Sequence, residues 1–180
     1  RPHFDRLPHP PRGRFISLDE DEARAVHSYF EDLLAGRIKA FNAWNPFRPA
    51  WAFWVGRLVV KLLSTNTLID WLSGEFDIET VYLLRHPVAV ASSCIGKGWE
   101  NDAEAYLQNH DFREQVLGPG QAQFADTVLT EGTSLQKFVL EWCLENLYAV
   151  RIPHERRWLV LRYEEIISRP QRMSELICSR

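Results

Sequence analysis

The 180-residue sequence has few cysteines, no long apolar run and no long run of basic residues. Cys94, Cys143 and Cys178 are odd in number and far apart, which excludes a disulfide framework or a zinc-binding spacing and favours a reducing, cytoplasmic compartment. No apolar run is long enough to span a bilayer, and no signal-peptide pattern opens the sequence. The net charge of −3 argues against an extensive nucleic-acid interface. We therefore expect any bound anion to be held by a few placed cations.

Both ends of the sequence look cut. It begins at Arg1 without an initiator methionine and stops inside a helical pattern, PQRMSELICSR (170–180). We expect the chain to be truncated at both ends. Its apolar content of 46% is sufficient for one domain with a substantial core, and no linker pattern separates a second domain. We therefore expect a single α/β domain over residues 1–180.

Three short runs are apolar at almost every position: RLVVKLL (57–63), TVYLL (80–84) and RWLVL (157–161). Such continuity is typical of strands that are covered on both faces, as in a parallel sheet with helices on either side. Helical patterns lie between the runs, at 67–73, at 87–95 with Gly96 as the predicted stop, and at 134–151. A capping-box pattern, Ser17 with Glu20, predicts one earlier helix. Strands alternating with helices predict the α/β class.

Polar residues stand at the ends of the predicted strands. Lys61 is near the end of the first, Arg85 follows the second, and Tyr163 follows the third and precedes Glu164 and Glu165. Ligands of open α/β sheets bind beyond the carboxyl ends of the strands. The sequence therefore predicts a ligand site at this edge of the sheet.

Arg85 and Ser93 are spaced in a way that suits a phosphate group. Arginine is a planar, permanent cation, and Pro87 fits the first position of a helix whose N-terminal N–H groups favour an anion. Ser93 then falls about two turns into that helix. An equally good interpretation pairs Arg85 with Glu164 or Glu165 and makes Ser93 an ordinary helix residue.

The segment LLRHPVAVASS (83–93) resembles a segment of the sulfotransferases that use 3′-phosphoadenosine 5′-phosphosulfate (PAPS). In that family a strand is followed by an arginine, a variable residue, a proline and, eight positions after the arginine, a serine that contacts the 3′-phosphate. Arg85, Pro87 and Ser93 match this pattern.

Two further segments resemble the same family in the same order. WLVLRYEEIISRPQRMSELI (158–177) is similar to the later strand and its "YE" segment, with Tyr163, Glu164 and Pro170 in place. LVVKLLSTNTLIDWL (58–72) is similar to the middle strand, where a lysine precedes a helix. Leu63 stands two residues after Lys61, where many cytosolic members have a histidine, so the pattern is closer to the broad bacterial and carbohydrate-type branches of the family.

The resemblance implies a P-loop-NTPase-like parallel sheet flanked by helices and a sulfotransferase activity. A sulfuryl group would pass from PAPS to a hydroxyl or amine of an acceptor such as a carbohydrate or glycolipid, without a metal. It implies that Arg85, Ser93 and Tyr163 bind the nucleotide and that Lys61 is the catalytic cation near the transferred group. Without the resemblance, Lys61 reads as a solvated lysine at a strand end.

The departures from the family pattern leave other functions open. No glycine-rich or "SGTT"-like segment, which in the family forms the 5′-phosphosulfate loop, precedes the first predicted strand. Either that loop preceded Arg1 or the protein never had it, and because the ends look cut we expect a fragment that lacks it. The family's glycine-containing loop near the C-terminus is also missing. Leu63 stands where many members have a histidine base, and His110 and Asp111 are either alternative bases or surface residues. The competing functions are another P-loop-type transferase, such as a nucleotide or small-molecule kinase, and a non-catalytic adenosine-phosphate-binding protein.

Overall fold

The computed structural model describes residues 20–35, 59–62, 66–151 and 158–179. The chain divides into two compact units, one holding the described residues 20–35 and 59–62, the other holding 66–151 and 158–179. The prediction of one α/β domain over residues 1–180 stays a prediction.

The first unit contains helix α1, Glu20–Leu34. Val26 and Phe30 are buried on one side of α1, as the spacing of its apolar residues requires. Ser17, the predicted cap, lies outside the described residues.

Residues 59–62 of the same unit are neither helix nor strand, so the predicted strand over 57–63 is wrong for these four residues. Val59 is 91% exposed, which no residue of a strand covered on both faces would be. An apolar run forms a strand only where a neighbouring strand supplies backbone hydrogen bonds, and the run itself does not specify that neighbour.

The described part of the second unit contains two strands and eight helices. β1 is Thr80–Leu84 and β2 is Trp158–Arg162; the helices are α2 (Ile69–Glu75, preceded by a 3-10 turn, Asn66–Leu68), α3 (Pro87–Gly96), α4 (Ala103–Gln108), α5 (His110–Gln115), α6 (Pro119–Glu131), α7 (Ser134–Arg151), α8 (Tyr163–Ser168) and α9 (Pro170–Cys178). The predicted helices at 67–73, 87–95 and 134–151 correspond to α2, α3 and α7. Within the described residues no helix combines the length and apolar character needed to cross a bilayer.

β1 and β2 form a parallel pair, in a register that runs from Thr80 opposite Trp158 to Leu84 opposite Arg162. A parallel pair requires a crossover connection, and here the crossover contains α3 to α7. The parallel arrangement of the second and third predicted strands is therefore confirmed, and the second unit has α/β character.

One face of this sheet is part of the core. Tyr82 and Trp158 pack with Ile69 of α2 and Ala149 of α7. The opposite face of β1 is less covered, because Val81 and Leu83 are 44% and 54% exposed. The prediction of strands covered on both faces is thus wrong for β1. An apolar run alone does not reveal which side chains will find a packing partner.

A second cluster of buried residues lies among the crossover helices. It consists of Ala103, Tyr106, Leu107, Phe112, Val116, Leu117, Ala125, Leu140 and Leu144, so α4, α5, α6 and α7 share one core. Arg113 of α5 also forms a bidentate salt bridge with Asp126 of α6, with N–O distances of 2.9 and 2.8 Å. α7 belongs to both cores, and it therefore holds the sheet and the crossover helices together.

The end of α3 is a Schellman motif. The N–H of Trp99 donates to the carbonyl of Cys94 (3.1 Å), and the N–H of Gly98 donates to that of Ile95 (3.0 Å). Gly98 has a φ of 65°, in the left-handed region that favours glycine. Gly96 is the last helical residue, so the predicted stop at Gly96 falls two residues before the glycine whose conformation ends the helix.

Candidate anion-binding site

Arg85 and Tyr163 lie side by side at the carboxyl edge of the sheet. Each directly follows its strand, and the register places the preceding residues, Leu84 and Arg162, opposite each other. The Cζ atom of Arg85 is 5.4 Å from the centroid of the Tyr163 ring, a cation–π contact. The prediction that these two side chains share one edge is confirmed. Because the ring takes up only one face of the guanidinium, the N–H groups at its rim remain able to bind an anion.

Glu164 makes the second contact between the two strand ends. The backbone N–H of His86 donates to Oε1 of Glu164 over 2.9 Å. This hydrogen bond, followed by one from the N–H of Glu164 itself, lowers the pKa of the carboxyl below its ordinary value. We call the set Arg85, His86, Tyr163 and Glu164 the β1–β2 corner.

The ion pair that was the alternative role of Arg85 is not formed in the described part of the chain. Neither Glu164 nor Glu165 pairs with its guanidinium; Glu164 bonds to the neighbouring peptide instead, and Arg85 has only a smaller, through-space influence on the Glu164 pKa. Arg85 is exposed. No carboxylate among the described residues forms an ion pair with Arg85, so the corner presents a cation that is available to a bound anion.

Helix α3 begins within this corner. Pro87 is its first residue and His86 its N-cap, as the sequence predicts. The N–H of Val90 closes the first turn on the carbonyl of His86 (3.1 Å). The N–H groups of Val88 and Ala89 have no acceptor inside the helix, and they carry the positive end of its dipole. The start of α3 and Arg85 therefore both contribute a positive electrostatic potential.

Ser93 lies further along α3 and is half-buried. It stands six positions after Pro87, a rise of roughly 9 Å along the helix. It shares a flank of α3 with Ala89, one turn earlier, at the border of the side that contains the buried Ala91. The structure thus places Ser93 on the helix that starts at the corner. That Arg85 and Ser93 bind one phosphate stays a prediction.

Three other candidate residues lie outside this corner. Lys61 is exposed in the irregular segment of the first unit, and its role as the catalytic cation stays a prediction. His110 and Asp111 are exposed in α5, where His110 lies 3.3 Å from Glu114 one turn later. This position fits the interpretation of His110 and Asp111 as surface residues.

The sequence did not predict the contact of Glu164 with His86; it indicated this glutamate as a possible partner of Arg85 and as part of the "YE" segment. A usable signal was present, since an acidic residue in the first turn of a helix often binds backbone N–H groups. What the sequence does not reveal is that the N–H comes from another element.

No group of three or more His, Cys, Asp or Glu side chains arranged to hold a metal ion occurs among the residues that the structure describes. No protein-family model, curated protein or solved structure matches the chain. The chemistry of the β1–β2 corner is therefore the basis for a functional assignment.

Proposed function

We propose that this protein is a PAPS-dependent sulfotransferase and that the β1–β2 corner binds the 3′-phosphate side of the nucleotide. The observation that carries the proposal is the placement of Arg85 against Tyr163 at the carboxyl edge of two parallel strands. This is the edge at which α/β proteins bind their ligands.

The chemistry of the corner supports a phosphate ligand. A guanidinium offers pairs of parallel N–H donors that match two phosphate oxygens, and its charge persists at every physiological pH. The cation–π contact with the Tyr163 ring favours one orientation of the guanidinium, which reduces the entropy lost when a ligand binds. The start of α3 adds a favourable field for an anion.

In the proposed reaction an acceptor oxygen or nitrogen attacks the sulfur of PAPS. A new bond to sulfur forms, the bond between sulfur and the bridging oxygen of the 5′-phosphosulfate breaks, and that oxygen keeps the electron pair. Adenosine 3′,5′-bisphosphate leaves, and the acceptor proton passes to a general base. We propose Lys61 as the cation that stabilises charge on the bridging oxygen.

Calorimetry on the full-length protein tests the binding step. We expect adenosine 3′,5′-bisphosphate to bind at least about tenfold more tightly than adenosine 5′-monophosphate, because only the former carries the 3′-phosphate. Arg85→Ala should weaken that binding by roughly 1.5–3 kcal/mol and Ser93→Ala by about 1 kcal/mol. Arg172→Ala, an exposed arginine of α9, is the matched control and should leave affinity unchanged.

Two outcomes would replace the proposal. Equal affinity for both nucleotides, together with no effect of Arg85→Ala, would assign Arg85 a structural role. Tight, magnesium-dependent binding of a nucleoside triphosphate would favour the kinase alternative. Transfer of radiolabelled sulfate from PAPS to a panel of hydroxyl and amine acceptors then separates an enzyme from a non-catalytic adenosine-phosphate-binding protein.

A further inference from the structure

Two consecutive residues at the start of α8 contact two consecutive residues that follow β1. Tyr163 lies against the side chain of Arg85, and Glu164 accepts the backbone N–H of His86. The first contact fixes a guanidinium. The second fixes the peptide directly after it, and thus the point from which the Arg85 side chain extends.

Glu164 itself is poorly suited to bind the ligand. A carboxylate repels phosphate, and the His86 N–H that it accepts is no longer free to donate to a bound anion. Glu164 is also exposed, and exposed polar contacts contribute little to global stability. Because Glu164 neither suits the ligand nor adds much to global stability, its effect is on the local geometry of the β1–β2 corner.

We infer that Glu164 is a positioning residue for Arg85, acting through its hydrogen bond to the His86 N–H. The inference rests on the proposed function, because the guanidinium that Glu164 positions is the one assigned to the 3′-phosphate. When the hydrogen bond is lost, the His86 peptide and the first turn of α3 gain freedom, and ligand binding must then restrict that freedom again.

The test compares Glu164→Ala with Glu164→Gln in the full-length protein. Alanine removes the acceptor oxygen, so affinity for adenosine 3′,5′-bisphosphate should fall about five- to tenfold, the equivalent of one modest hydrogen bond. Glutamine keeps an oxygen acceptor and removes a negative charge, so its affinity should equal or exceed that of the wild type. Glu165→Ala removes the adjacent exposed carboxylate of α8 and should change nothing.

Hydrogen exchange of the His86 amide, monitored by NMR in the absence of ligand, measures the contact independently of nucleotide binding. The amide should exchange faster in Glu164→Ala and remain protected in Glu164→Gln, with the melting temperature of both variants within about 2 °C of wild type. A merely structural contact would change exchange without changing affinity.

Three results would overturn the inference. Glutamine as damaging as alanine would show that charge, not the hydrogen bond, matters. Unchanged affinity in Glu164→Ala with faster His86 exchange would show that the contact does not position Arg85. Unchanged exchange in Glu164→Ala would remove the contact itself. Wild-type protein that binds no nucleotide would instead overturn the proposed function, and the exchange measurement would still decide whether Glu164 protects His86.

Discussion

Tyr82 couples β1 to α7 through a buried hydrogen bond. Its hydroxyl donates to Oδ1 of Asn146 (2.7 Å), and Nδ2 of Asn146 donates to the carbonyl of Trp142 (2.7 Å). Burial, with a further contribution from the charge of Glu145, raises the pKa of Tyr82 well above its ordinary value. The hydroxyl therefore remains a donor throughout the physiological pH range.

Removing this hydroxyl should destabilise the fold. Tyr82→Phe leaves the buried Oδ1 of Asn146 without its donor, and we expect a loss of about 1–2 kcal/mol in the free energy of unfolding, measured by urea denaturation. Tyr106→Phe is the control, because the described residues offer no hydrogen-bond partner for the hydroxyl of this equally buried tyrosine. An equal loss in both variants would contradict the role of the Tyr82 bond.

The β1–β2 corner contains one residue pair that the sequence predicts and one contact that it does not. Arg85 and Tyr163 could be placed together because parallel strands end at one edge, a rule that needs only the strand assignments. The contact of Glu164 could not be placed in the same way. Its acceptor oxygen has several donors within reach of a flexible side chain, and only the folded backbone selects the His86 N–H.

At the level of elements, the end of α3 offers a matched pair of glycines. A methyl group would meet open space at both Gly96 and Gly98, but only Gly98 has a positive φ. Gly98→Ala should therefore destabilise the protein by about 1 kcal/mol, because alanine is strained in the left-handed region. Gly96→Ala should be neutral or stabilising by about 0.5–1 kcal/mol, since alanine is the better helix former.

Thermal unfolding of the two variants checks this prediction. Equal melting temperatures, or a larger loss for Gly96→Ala, would mean that the Schellman motif does not determine where α3 ends. The sequence alone could not choose between the two glycines, since both stand near the end of the helical pattern. The choice depends on the hydrogen bond from Trp99 to Cys94, which forms only when the chain reverses at Gly98.

At the scale of the whole molecule, substitution of Lys61 tests whether the first unit takes part in the proposed reaction. Lys61→Ala in the full-length enzyme should lower kcat by about 10²–10³ and raise KM for PAPS less, as expected for a charge that acts mainly in the transition state. Lys61→Arg should rescue poorly, because a planar guanidinium does not replace a compact ammonium group. Steady-state sulfate transfer provides the measurement, with Lys137→Ala of α7 as the control.

Near-normal turnover of Lys61→Ala would remove Lys61 from the mechanism. The catalytic role of Lys61 is implied by the family resemblance, and its placement near the end of a strand was predicted from an apolar run; residues 59–62 do not form that strand. Helix patterns were more reliable, since α7 spans the residues expected from the spacing of its apolar side chains. That spacing is a local property, whereas a strand depends on partners that are distant in sequence.

The parallel pairing of β1 and β2 has a consequence for loop closure. His86 and Glu164 are 78 residues apart in sequence, and joining the ends of a chain of that length costs about 4 kcal/mol of entropy at 25 °C. A cation–π contact and one exposed hydrogen bond contribute roughly 0.5–1.5 kcal/mol each, which is less than this cost. The β1–β2 pairing and the packing of the sheet and crossover helices must therefore supply the difference. A peptide cut from the end of β1 would retain Arg85 and the start of α3 but would lose the Tyr163 ring, and we expect the free energy of this one contact to be too small to bring two separate peptides together.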